Sequence, residues 1–141
     1  MWRTIAVLNI CGFLIACAPP VRIPADADVD RIEITDQKRI QTTRDLSHPR
    51  TISEPDKIAA VLAYLRPRQT WWSPPLFETP SGRYTVSFHK GAKFQFVLWL
   101  IGDGLCGRND DEDMHDNRCR SLSSAEMQEL GKLLNIEYPS D

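Results

Sequence analysis

Residues 83–101 alternate. Tyr84, Val86 and Phe88 share one parity, and beyond Lys90-Gly91-Ala92-Lys93 a second set, Phe94, Phe96, Leu98 and Leu100, shares one too. A period of two belongs to a pleated strand with one face buried, so the two runs predict an antiparallel hairpin around Gly91. Opposed residues of an antiparallel pair lie on the same face. Joining the two apolar sets therefore requires an odd number of loop residues, three or five. This register leaves Thr85, Ser87 and His89 on the other face of the first strand and Val97, Trp99 and Ile101 on the other face of the second. The second strand is apolar on both sides, which places it inside a sheet rather than at its edge.

Two segments carry the other periodicity. Ile58, Val61, Leu62 and Leu65 fall at i, i+3, i+4 and i+7, which predicts an amphipathic helix over residues 54–66, begun by Ser53 with Asp56 three residues later and stopped by Pro67. Met127, Leu130 and Leu134 make a similar stripe in residues 123–134. Here Ser123 and Glu126 form a capping box, Leu122 and Met127 occupy the staple positions, and Asn135 can end the helix. Ile32 and Ile34 alternate with Glu33 and Thr35 as a short strand, with residues 40–44 as a weaker partner, and residues 118–122 can return as a last strand. Residues 69–80 hold Trp71, Trp72, Phe77 and three prolines, which suits an ordered aromatic loop. Together these elements predict a two-layer α+β domain: an antiparallel sheet of four or five strands with two helices on one face.

The N-terminus has a different character. A short positive region with Arg3 precedes an apolar run over residues 5–16, broken only by Asn9. At about 1.5 Å per residue the run reaches roughly 18 Å, too short for a hydrocarbon core of about 30 Å. It reads as a signal segment. Leu14-Ile15-Ala16-Cys17 then resembles the lipobox of bacterial lipoproteins. The resemblance covers these first 17 residues and says nothing of the domain that follows. It implies cleavage after Ala16, acylation of Cys17 (palmitate among the chains), and attachment to a membrane outside the cytoplasm; Ala18 at the next position implies sorting to the periplasmic side of an outer membrane. The competing reading is an ordinary secretory signal with a free thiol at Cys17. Residues 1–16 are accordingly expected to be removed, 17–28 to form a lipidated tether, rich in Pro19, Pro20 and Pro24, and 29–141 to form a single domain.

Cys11 leaves with the signal and Cys17 is taken by lipid, so Cys106 and Cys119 remain. An even pair in an oxidising compartment reads as a disulfide. Metal ligation by the two cysteines with His115 is the rival, but the spacing matches no zinc pattern. Only Arg3 among the 17 basic and 19 acidic residues lies in the removed segment, so the mature chain carries a net charge of −3. A nucleic-acid partner, which favours a basic surface, is not expected.

His48, His89 and His115 have no partner at a recognisable ligand or catalytic spacing, and neither a Gly-x-Ser-x-Gly elbow nor a His-Glu-x-x-His pair is present. The expectation is a protein that is not an enzyme, with no cofactor and no bound metal. Asp111 and Asp113 stand in an acidic run with Asp110, Glu112 and Asp116; the run lacks the alternation and central glycine of a calcium loop and reads as a solvated loop that could steer a basic partner. Trp71 and Trp72 are adjacent, so in an extended segment they point to opposite sides and only one can serve the core. Trp99, with Val97 and Ile101, needs cover or remains a sticky stripe. The aromatic loop is expected to cross the outer sheet face near Trp99, one tryptophan packed inward and the other presented. Trp71, Trp72, Trp99, Asp111 and Asp113 are thus the candidate partner-binding residues. The leading functional expectation is a non-catalytic, membrane-anchored domain that binds a protein or an envelope component; the alternative is an envelope-assembly or structural accessory protein, and a small hydrolase or metal-dependent domain ranks below both.

Overall fold

The computed structural model describes residues 21–38, 49–70, 72–73, 80, 82–112 and 116–138. Among the described residues six strands form one sheet: β1 (Arg31–Asp36), β2 (Arg50–Ile52), β3 (Tyr84–Lys90), β4 (Lys93–Ile101), β5 (Gly104–Asn109) and β6 (Arg118–Ser121). Their order is β2-β1-β3-β4-β5-β6, every pairing antiparallel, so β4 is an interior strand. Two helices that lie wholly within the described residues, α1 (Pro55–Leu65) and α2 (Ser124–Leu133), complete an α+β fold. Ile58, Val61, Leu62 and Leu65 of α1 and Met127 and Leu130 of α2 belong to one buried cluster with Val86, Phe88, Phe96, Leu98 and Leu100, which puts both helices on one face of the sheet.

The sheet has more strands than the four or five expected. β5 was hidden because Gly-Leu-Cys-Gly-Arg-Asn has neither alternation nor strong strand formers; pairing along β4 makes it a strand. Gly107 fits closely there: a Cβ would sit 3.0 Å from Phe96 Cζ and 3.1 Å from Leu98 Cδ2, so those side chains would have to give way by a few tenths of an ångström. The partner of β1 is β2, while residues 40–44 lie outside the described residues.

The hairpin parity is met in another way than by a loop of three or five residues. Lys90 pairs with Lys93 around a two-residue turn in which Gly91 has φ 56. Phe88 pairs with Phe96 but His89 with Phe94, so the odd residue is Gln95, a bulge in β4. One consequence is a correction: Phe94 leaves the core face and meets the His89 ring on the other side, centroids 6.0 Å apart.

The two helices begin differently. At α2 the capping box forms in both directions, and the helix closes with Asn135 at φ 50, the Asn135 N–H donating to Lys132 O at 3.0 Å and the Ile136 N–H to Gly131 O at 2.9 Å. That is a Schellman closure with Asn in the left-handed position. At α1 the N-cap is Glu54, not Ser53, and no side chain caps it. Pro55 at the first position removes one N–H that would otherwise need a partner, and this lessens the need for a cap. Pro67 does not end the turn abruptly either; a 3-10 turn, Arg66–Arg68, continues the chain.

Residues 21–28, assigned to the tether, are instead packed on the domain. Val21 has no exposed surface and Ile23 lies against the core. The Arg22 N–H donates to Asn109 Oδ1 at 3.1 Å and Asn109 Nδ2 donates back to Arg22 O at 2.5 Å. The Arg66 guanidinium pairs with Asp26 at the end of α1. Two apolar residues, Val21 and Ile23, among prolines and small or charged neighbours are too few to show as periodicity, which is why the docking was not legible.

Candidate interaction surface

The register assigns every strand residue to a face. On the face away from the helices, one row across the sheet reads Thr35, Thr85, Trp99, Cys106, Cys119, and the next reads Glu33, Ser87, Val97, Arg108. The half on β1 and β3 is polar: Arg31 Nε lies 2.9 Å from Glu33 Oε1, His89 Nε2 lies 3.5 Å from Glu33 Oε2, and Gln37 Nε2 donates to Thr85 Oγ1 at 3.2 Å. The half on β4 to β6 is apolar. Trp99 and Ile101 are half-buried, Val97 is 5% exposed although it lies outside the main core cluster, and the Arg108 guanidinium sits 5.8 Å from the centre of the Trp99 ring. That distance is within the range of a cation–π contact.

The Cys106 and Cys119 sulfurs lie at disulfide distance, beside Trp99 in the same row. The Cys119 N–H donates to Ser73 Oγ at 2.9 Å and the Ser73 N–H to Cys119 O at 2.8 Å. The backbone groups of Cys119 thus point away from β5, which makes Cys106 and Cys119 a non-hydrogen-bonded pair, the arrangement that brings opposed side chains closest. Ser73 occupies the outer edge of β6 at this point. Arg120 Nη1, donating to Arg68 O at 3.0 Å and Thr70 O at 2.6 Å, holds the chain that leads there.

Trp72 belongs to the other side of the sheet. It is 9% exposed, lies in the helix-side cluster, and its indole N–H donates to Arg68 O at 2.7 Å. Trp72 is thus the inward tryptophan, whereas the described part of its loop runs along the β6 edge and not across the outer face. Trp71, Asp113 and Cys17 lie outside the described residues, as do His48 and His115. Trp72 and Trp99, expected to work near one another, are on opposite faces, and Asp111 stands apart from both at the end of the sheet beyond β5.

The acidic run is not merely solvated, as its composition suggested. Each of its first three residues has a cation supplied from elsewhere in the chain: Lys93 Nζ lies 3.3 Å from Asp110, the Arg22 guanidinium pairs with Asp111, and Arg118 Nη1 donates to Glu112 Oε1 at 2.6 Å. Arg118 is only 3% exposed, and Glu112 also accepts the Asn109 N–H at 2.9 Å. The hydrogen bond from Arg22 holds the Asp111 carboxyl below the usual carboxylate range and raises the guanidinium in turn. Among the described residues no group of three His, Cys, Asp or Glu is placed to hold a metal ion. Arg22, Asn109, Arg118 and Arg108 are the residues sequence reading passed over, because no local spacing links a cation to a carboxylate 89 positions away.

Among the described residues, open depressions lie at opposite ends of the sheet. One, of about 380 Å³, is lined by Arg83, Asp103, Ser124, Gln128 and Tyr138 among others, and the second, of about 410 Å³, by residues that include Asp26, Asp30, Pro55 and Lys90. No protein-family model, no curated protein and no solved structure matches this chain.

Proposed function

We propose that the chain is a lipid-anchored domain of the bacterial envelope that binds a macromolecule, a protein or an envelope component, without catalysing a reaction. The observation that carries this is the division of the sheet: the helices are satisfied by one face, and the other bears a second apolar strip, Trp99 and Ile101, that the helix-side core does not use. An apolar strip rimmed by polar groups is the composition of an interface centre and its rim. Arg108 beside Trp99 adds a residue pair of the kind that dominates binding energy at such centres. The Cys106 and Cys119 pair supports an oxidising compartment. No helix of the described residues is long and apolar enough to cross a membrane, and the proposed attachment rests on the resemblance at Cys17.

Photocrosslinking in the native cell tests the reading. A crosslinking residue at position 101 should trap one discrete species, and Trp99→Ala should abolish the product while leaving the protein folded. The same residue at position 129, exposed on α2, should trap none. Equal products from both positions would remove the outer face from consideration.

A further inference from the structure

We propose that this domain stands end-on at its membrane, with the β3–β4 turn and the Asn109 end of β5 against the lipid headgroups and the opposite end of the strands turned away. The inference rests on lipidation of Cys17. It draws on where the folded domain begins: Val21 is fully buried, and the backbone of Arg22 is clamped by two hydrogen bonds to Asn109, the last residue of β5. Four residue steps separate Cys17 from Val21, which spans at most about 14 Å fully extended. A lipidated cysteine sits at the headgroup boundary, so Val21 can lie no farther from that boundary than this length.

The position of Asn109 decides which part of the domain is brought down. The register places it at the same end of the sheet as Phe96, His89 and Arg31, the end that carries the Gly91-Ala92 turn. The far end, with Gly102 and Asp103, is separated from Asn109 by the length of β5, about 17 Å at some 3.3 Å per residue. A tether of a long, free spacer would allow any orientation, but this one is shorter than the strands. The chemistry of the near end agrees. Lys90 flanks the turn and is exposed, positioned for anionic headgroups, while Asp110, Asp111 and Glu112 behind it are paired with Lys93, Arg22 and Arg118. Internal pairing of those carboxylates lowers the repulsion that an open acidic loop would meet at a negative surface.

The test uses the full-length lipidated protein in phosphatidylethanolamine and phosphatidylglycerol vesicles that carry a headgroup-linked quencher. Ala92→Cys and Asp103→Cys, each bearing a fluorophore, are compared, and flotation reports attachment. The label at position 92 should be quenched several-fold more than that at 103. A third protein with twenty Gly/Ser residues inserted between Pro20 and Val21 should float equally well with the difference gone, since such an insert has a root-mean-square span of about 25 Å. Protein that floats with equal quenching at both positions overturns the orientation alone. A difference that survives the insert overturns the tether as its cause. Wild type that fails to float, or Cys17→Ala that floats as well as wild type, overturns the lipid anchor and the orientation with it.

Discussion

Trp72 and Trp99 show how the same residue type divides between packing and recognition once the faces of the sheet are known. Trp72 fills the helix-side core and satisfies its N–H on Arg68 O, so Trp72→Ala should cost about 3 to 5 kcal/mol in chemical denaturation. Trp99, half-buried on the outer face, should lose about 1 kcal/mol or less on replacement by alanine, while losing partner capture. Equal destabilisation by the two substitutions would make Trp99 a core residue. Glu126 offers a pH handle. Its carboxyl lies below its ordinary range because the Ser123 N–H donates to it, then the Ser123 hydroxyl, then Arg68. A lowered folded value means that the stabilisation is complete above the unfolded value, about 4.3, and is lost as pH falls through the folded one. Glu126→Gln should therefore flatten the decline of Tm below about pH 5 relative to wild type.

At the scale of elements, α2 was readable to the residue and α1 only in its stripe. The capping box is a local pattern, four residues long, and its geometry follows from backbone donors that any helix start leaves open. Ser123→Ala should cost about 1 kcal/mol, while Ser53→Ala should cost little because Glu54, without a capping side chain, holds the N-cap of α1. Thermal melts of the two variants give the comparison directly. For strands the limits were different. β3 and β4 were visible because apolar residues alternate along each; β5 was not, because it holds two glycines, Gly104 and Gly107, and its first four residues are buried without alternation. The cross-strand pair Cys106 and Cys119 joins β5 to β6 over a separation of 13 residues, for which the chain-entropy relation gives about 3 kcal/mol. Replacing both by alanine should lower Tm by the corresponding amount, and thiol labelling of the unreduced, denatured protein should find neither cysteine.

For the whole molecule, the Val21 and Arg22 clamp changes how a lipid anchor would act. A free twelve-residue spacer would let the domain roam, whereas a chain docked from Val21 leaves a link too short to reorient it. Wild type is expected in the detergent phase on phase separation, and Cys17→Ala in the aqueous phase; equal partitioning of the two would dismiss the anchor. Strands β2 and β3 are also tied to the end of α2 and the chain that follows it by long-range contacts. The Arg50 guanidinium donates to Leu134 O and Asn135 O at the C-terminal end of α2, where the helix dipole favours a cation, and Tyr84 Oη donates to Glu137 O at 3.1 Å.

The sequence by itself determined the α+β class, the two helical stripes, the hairpin with its two-sided second strand, and the cysteine pairing, because period, capping and parity are properties of neighbours along a chain. It could say that Val97, Trp99 and Ile101 lie opposite the core face, since a pleat alternates by necessity. Only the tertiary structure decided that Trp72 faces the helices while Trp99 faces away, that the first three acids of the β5–β6 loop are each met by a cation, and that the N-terminal segment is clamped to Asn109. Those outcomes depend on which strand edges meet and on charges brought together from positions as far apart as Arg22 and Asp111. Local periodicity contains no term for such meetings; they are set by the closing of the sheet and the burial it forces on whatever lies at its ends.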